Sequence, residues 1–218
     1  MFVEAQVIRK VFETMNTSSI QYVLAKNIAR ELPERLSEGK DIDIIVNPRN
    51  QDQLKKVLGA SYRMIEHPLS TKNGWRYLYG LTEYEFWTTK EHENAKYYMD
   101  ISFEMSCKSL MPKMLVPLDI EIQRRVWKER RWDEEMQWWV LDSDTQMVYY
   151  LTRCIFDKRQ FEQRYIDEIE KLKKQVNWVV VEQLARYVFF GYSERLIQLI
   201  CDGNYNSICE DYLRYSRY

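Results

Sequence analysis

The sequence predicts an α+β protein: a small mixed β-sheet flanked by helices, followed by an all-helical C-terminal half. Up to about residue 103, short apolar runs with strand-like alternation are interleaved with segments of helical period. Beyond residue 143 the period is helical throughout, punctuated by Gly191 and Gly203. Glycine and proline are scarce, 6 and 5 among 218 residues, which leaves little room for long structureless linkers.

The elements follow in order. Val3, Val7, Ile8, Val11, Phe12 and Met15 recur at helical spacing, with Glu4, Arg9, Lys10 and Glu13 on the other face. Asn16-Thr17-Ser18-Ser19 is a turn signal, and Ile20 to Ala25 reads as a first strand. A short helical stretch then runs to Leu32, where Pro33 helps to end it. Asp41 to Val46 is the next strand, and Leu54, Val57 and Leu58 mark a short helix. Strands are expected at Ser61–Glu66, Trp75–Leu81 and Tyr84–Thr88, the last two as a hairpin, and again at Tyr97–Phe103. Pro112 and Pro117 bracket a Met-rich connection, 118–135 is heavily charged, and Gln137 to Leu141 is a short strand or buried segment. Ser143 is the expected cap of the first C-terminal helix, with further helices near 160–174, 176–190, 193–202 and 206–214. The organisation expected is an α/β domain over 1–110 and a helical domain over 111–218.

Composition sets limits on function. Hydrophobic residues at 45% and charged residues at 30% describe a globular chain with a proper core. A net charge of −1 excludes a broadly basic body that holds nucleic acid by bulk electrostatics. Cys107, Cys154, Cys201 and Cys209 lack the two-residue spacing of a zinc or redox motif. The N-terminus does not read as a signal peptide, and no apolar run approaches the ~20 residues of a membrane span. A reducing cytoplasm is therefore the expected location. His67 and His92 are isolated, and no Walker A loop, dinucleotide-binding glycine pattern or serine elbow is present.

Asp41 and Asp43 stand one residue apart where an apolar strand begins, directly after Gly39-Lys40. Strand alternation points both the same way, with Cα atoms ~6.6 Å apart. Such a pair converges on metal ions about 3.5–4 Å apart, as two-metal phosphoryl chemistry requires. It is also the pattern of a strand that starts in solvent with both aspartates hydrated. Asp100 is the third candidate, because aspartate is depleted in mid-strand positions. Three gathered carboxylates repel one another unless divalent cations supply charge. Mg²⁺ binds through carboxylates plus triphosphate oxygens, so a nucleotide substrate suits such a site.

The order strand, Lys26-Asn27, short helix, Gly39-Lys40-Asp41-Ile42-Asp43-Ile44-Ile45-Val46, then Tyr98-Met99-Asp100-Ile101 resembles the DNA-polymerase-β-like nucleotidyltransferase superfamily. The resemblance covers roughly residues 20–103. It implies an Asp-x-Asp strand with a third acid on a later strand, and a helical appendage. It further implies nucleotidyl transfer from an NTP with two Mg²⁺ ions held by Asp41, Asp43 and Asp100. Asp100 is the candidate general base for the acceptor hydroxyl. One departure stands out: the superfamily's Gly-Ser or Gly-Gly pair after the first strand is here Lys26-Asn27. A lysine can replace backbone amide contacts with a point charge on phosphate, and asparagine tolerates turn geometry. The same departure would also suit a protein that does not turn over. The variant pattern is similar to nucleotidyltransferase-like proteins of bacterial surface-polysaccharide gene clusters.

Lys26, Asn27, Lys40 and Arg76 are the candidate nucleotide contacts, with Arg30 a further one. Arg153, Lys158 and Arg159 could close over the nucleotide. Arg124, Arg125, Lys128, Arg130 and Arg131 alternate with Trp127 and Trp132, a pattern compatible with stacking on a nucleic acid strand. Glu129, Asp133, Glu134 and Glu135 neutralise that cluster and make it equally a solvated face. The expected partners are an NTP and an acceptor that is a small molecule, an RNA end or a protein side chain. The rival readings are a non-catalytic binding or regulatory module, a toxin-like transferase acting on tRNA, and an interaction protein that uses its aromatic surface.

Overall fold

The computed structural model describes residues 2–61, 64–68, 76–77, 81–87, 96–109 and 114–213. The chain forms two compact units. The first comprises Met1–Met105 together with Arg130–Leu141, and the second Ser106–Glu129 together with Asp142–Tyr218.

The first unit is a seven-stranded mixed sheet with two helices. Its strands are β1 (Tyr22–Leu24), β2 (Asp41–Val46), β3 (Met64–Pro68), β5 (Leu81–Trp87), β6 (Lys96–Ser102), β9 (Arg131–Asp133) and β10 (Trp138–Val140), in the order β3-β5-β6-β2-β1-β10-β9. β2 runs parallel to β6 and antiparallel to β1, and β1 runs parallel to β10. A two-residue strand, β4 (Arg76–Tyr77), is not in this sheet. The expected hairpin of Trp75–Leu81 with Tyr84–Thr88 gives way to antiparallel pairing of β5 with β3 and β6. A strand's own alternation fixes its faces and leaves its neighbours open.

Helices α1 (Ala5–Thr17) and α2 (Gln51–Ser61) supply the rest of the core. α1 buries Ile8, Val11, Phe12 and Met15, the stripe expected from its 3.6-residue period, and leaves Arg9, Lys10 and Glu13 in solvent. The cluster they join takes Tyr22 and Leu24 from β1, Ile42, Ile44 and Val46 from β2, Tyr97, Met99 and Ile101 from β6, and Trp138 from β10. Phe12 sits at its centre, with ring centroids 5.5 Å from Tyr22 and 4.8 Å from Trp138. Because side chains alternate along a strand, the odd positions of β2 and the even positions of β6 face away from this cluster. Those positions carry Asp41, Asp43 and Asp100.

The second unit is helical with one small hairpin. β7 (Ser106–Lys108) pairs antiparallel with β8 (Met114–Pro117). Its helices are α3 (Ile120–Glu129), α4 (Ser143–Thr152), α5 (Gln163–Leu172), α6 (Trp178–Phe189), α7 (Ser193–Cys201) and α8 (Tyr205–Leu213), with a π-helical segment, Arg153–Lys158, continuing α4. Asp142, one residue before the expected cap Ser143, caps α4 by accepting from the backbone N–H groups of Asp144 and Thr145. The same carboxylate is 2.8 Å from Arg125 of α3. Among the described residues, no helix is long and apolar enough to cross a membrane.

Candidate functional site

The site begins at a turn. Gly39 has φ +75°, a left-handed backbone that glycine adopts without the Cβ clash of other residues. Lys40 N–H donates to Ser37 O at 3.1 Å and closes the turn, so the chain enters β2 at Asp41. β2 is exposed at Asp41 and buried at every residue from Ile42 to Val46. A strand buried on both faces belongs in the middle of a sheet, and β2 lies there, between β6 and β1.

The register does the rest. Asp43 is paired with Asp100 across the parallel β2–β6 ladder, and Asp41 with Tyr98. Tyr98 N–H donates to Lys40 O at 3.1 Å, which locks that register where the two aspartates begin. Asp41, Asp43 and Asp100 each present a carboxylate oxygen within 4.8 Å of the others. Asp41 is exposed, Asp100 half-buried and Asp43 only 9% exposed. The donor set is three carboxylates, all oxygen, which fits a hard divalent cation such as Mg²⁺ and not a thiolate- or imidazole-seeking metal. One strand further out, register alone sets Glu83 of β5 opposite Asp100. Glu83 did not emerge from the sequence because the pairing of β5 with β6 is not written in either strand.

The candidate nucleotide contacts divide. Lys26 follows β1, and its Nζ lies 2.6 Å from Asp43 Oδ2, inside the carboxylate cluster. Ala25 N–H donates to Asp43 O at 2.9 Å and holds the backbone beside β2 at that point. Asn27 braces its own loop: its Nδ2 donates to Leu32 O at 3.3 Å and its Oδ1 accepts from Leu32 N–H at 2.9 Å. Lys40 is exposed, with Nζ 4.0 Å from Glu31. Arg30 is exposed and 3.9 Å from the equally exposed Glu135. Arg76 lies on β4, and its side chain is outside the described residues, as is His92.

Several of the remaining cations pair with their own neighbours. Arg153 is 2.5 Å from Asp157, whose side chain is 1% exposed and also accepts from Lys108 N–H at 2.6 Å. Lys158 is 3.8 Å from Glu162, and Arg159 adopts a left-handed backbone at φ 55°. In the arginine-rich stretch, Arg124 pairs with Glu121 at 2.5 Å, and Arg125 with Asp142 and Asp144 at 2.8 and 3.0 Å. Arg130 stacks over Trp139, 4.1 Å from the ring centroid, and Trp132 meets Trp139 edge-on at 5.3 Å. These partners give the arginine-rich stretch structural contacts. Burial, with a smaller contribution from Asp157, pushes the Cys107 thiol up to about 12, and burial likewise raises Cys154, so neither is a thiolate nucleophile near neutral pH.

No family model matches the sequence, and no curated protein matches it. Solved structures with a similar chain path include the solution structure of the antibiotic-resistance factor ANT(2'')-Ia, at TM-score 0.47 and 10% identity over 92% of this chain and 96% of that one. The crystal structure of ANT(2'')-Ia in complex with adenylyl-2''-tobramycin gives TM-score 0.44 and 10% identity over 83% and 93%. JHP933 from Helicobacter pylori gives TM-score 0.45 and 15% identity over 95% and 86%. Likenesses this distant say nothing of activity.

Proposed function

We propose that this chain transfers a nucleotidyl group from an NTP to a hydroxyl or phosphate acceptor, with Mg²⁺ held by Asp41, Asp43 and Asp100. The observation that carries this reading is the in-register pairing of Asp43 with Asp100, which gathers three carboxylates within 4.8 Å on one sheet face. Asp41, Asp43 and Asp100 would hold the two Mg²⁺ ions, which when bound would supply positive charge for the triphosphate, the acceptor hydroxyl and the departing pyrophosphate. Asp43, buried and fixed by the strands on both sides, is the anchoring ligand. Asp41, exposed at the strand's start, faces the side from which the nucleotide arrives. Asp100, half-buried beside them, takes the acceptor's proton as general base. Lys40 contacts the triphosphate, and Lys26 reaches it from the cluster. The near-neutral charge of the chain favours a small molecule or a protein as acceptor over a long nucleic acid.

A second reading, a nucleotide-binding module without turnover, is favoured by the Lys26–Asp43 ion pair, since a lysine stands where the resemblance calls for glycine. Thermal unfolding with each NTP, with and without Mg²⁺, tests the metal-dependent site common to both. Stabilisation of several degrees that requires Mg²⁺ is expected, the scale of about 2.7 kcal/mol for ligand at 100 times its Kd. Asp41→Asn, at an exposed position, removes that response without disturbing the fold. A wild-type protein whose unfolding temperature ignores every Mg²⁺–NTP pair contradicts the assignment.

A further inference from the structure

Helix α1 packs on the sheet face opposite the three carboxylates. Between its outer flank and the β9–β10 turn lies a cleft of about 550 Å³, within the range of small-molecule sites. Arg9, Glu13 and Asn16 line one wall, and Trp132, Met136 and Gln137 the other. The walls are tied together: Asn16 Nδ2 donates to Gln137 O at 3.0 Å, and Tyr22 Oη donates to Asn16 Oδ1 at 3.0 Å. Gln137 turns the chain with a left-handed backbone at φ 61°, and the Asp133 carboxylate accepts from the N–H groups of Glu135 and Met136 at 3.1 and 3.0 Å. The cleft is therefore preformed.

Its charge is suited to a cation. Arg9 is the basic residue of the lining, and its guanidinium is 2.9 Å from Glu34. Glu13, one helical turn further on and exposed, pairs with no cation among the described residues, and neither does Glu134 in the turn. Glu135 lies 3.9 Å from Arg30. Trp132, half-buried, adds an indole, whose face attracts positive charge, and Met136 adds a thioether. We propose that this cleft binds a small organic cation, an amine carried on an apolar or aromatic body, with its ammonium at Glu13 and its body against Trp132 and Met136. The acids that attract an amine repel phosphate, so Trp132, from the aromatic and basic stretch compatible with nucleic acid stacking, serves a ligand of the opposite charge. The site does not depend on the carboxylate cluster or on nucleotidyl transfer.

Phenethylamine, its neutral isostere 2-phenylethanol and its anionic counterpart phenylacetate test the proposal. Each is titrated into the full chain at low salt and followed through the backbone amide resonances of Met136 and Gln137. Phenethylamine is expected to shift both saturably, with a Kd on the order of 1 mM for a probe so small. The alcohol and the acid are expected to bind at least about fivefold more weakly, the factor that a unit charge beside a carboxylate gives in a solvated site. Glu13→Gln is expected to weaken phenethylamine to the level of the alcohol. Trp132→Leu is expected to weaken it severalfold, whereas Trp132→Phe keeps an aromatic face and retains most of the affinity. Equal affinities for the three probes, or an unchanged Kd in Glu13→Gln, overturn the cation preference, and an unchanged Kd in Trp132→Leu overturns the role of the indole. No saturable shift with any probe overturns the site itself. Circular dichroism confirms that each variant is folded.

Discussion

Lys26 and Lys40 both flank the Asp-Ile-Asp strand, yet they answer to different carboxylates: Lys26 to Asp43 at 2.6 Å and Lys40 to Glu31 at 4.0 Å. The difference is one of burial. The first pair is largely withdrawn from water and contributes to the site's electrostatics, whereas the second is exposed and worth little. Asn27 next door shapes the loop that presents Lys26, since its side chain satisfies both the N–H and the C=O of Leu32. Asn27→Ala leaves those two backbone groups without that partner and is expected to cost about 1–3 kcal/mol in denaturant unfolding. A change below about 0.5 kcal/mol would show that the loop holds itself. At this scale the sequence was only partly legible. That Asp41 and Asp43 point the same way follows from strand alternation, a local property. That Lys26 meets Asp43 depends on the antiparallel register of β1 with β2, Leu24 opposite Ile44, which no local signal announces.

Among the elements, periodicity was the readable quantity. The apolar stripe of α1, the strand from Asp41 to Val46 and the C-terminal helices stand close to where their spacing placed them. Partners were not readable. β10 lies inside the short strand or buried segment expected from Gln137 to Leu141, but β9 does not emerge from the charged flank, and three residues each are too few to show a partner. They nevertheless join the first unit, with β10 parallel to β1 through Leu24 and Val140. In the second unit, Asp142 combines two jobs, capping α4 and pairing with Arg125 at 2.8 Å. Thr145 Oγ1 also donates to it at 2.5 Å. Asp142→Ala removes the cap and strips a half-buried arginine of one of its two carboxylates, an expected loss of about 2–3 kcal/mol in thermal or chemical unfolding. Asp142→Asn, which retains the cap oxygen, is expected to lose less. Equal losses for the two variants would mean that the cap contributes nothing beyond the charge.

For the molecule as a whole, an α+β fold was legible because two periods, two residues for strands and 3.6 for helices, divide the chain cleanly. The strand order was not, since it is set by which apolar faces can be buried together across long stretches of chain. The site stands on both kinds of information: alternation gives Asp41 and Asp43, and strand order brings them Asp100. A net charge of −1 provides no broad attractive field for a polyanion. Transfer of label from α-labelled NTPs, in Mg²⁺, to the small-molecule, RNA and protein fractions of a cell extract tests nucleotidyl transfer most directly. The expected result is label in one fraction with release of pyrophosphate, abolished by Asp41→Asn and by EDTA. Label in none of the three fractions, from a folded wild-type chain that binds Mg²⁺–NTP, would contradict transfer and leave a nucleotide-binding module.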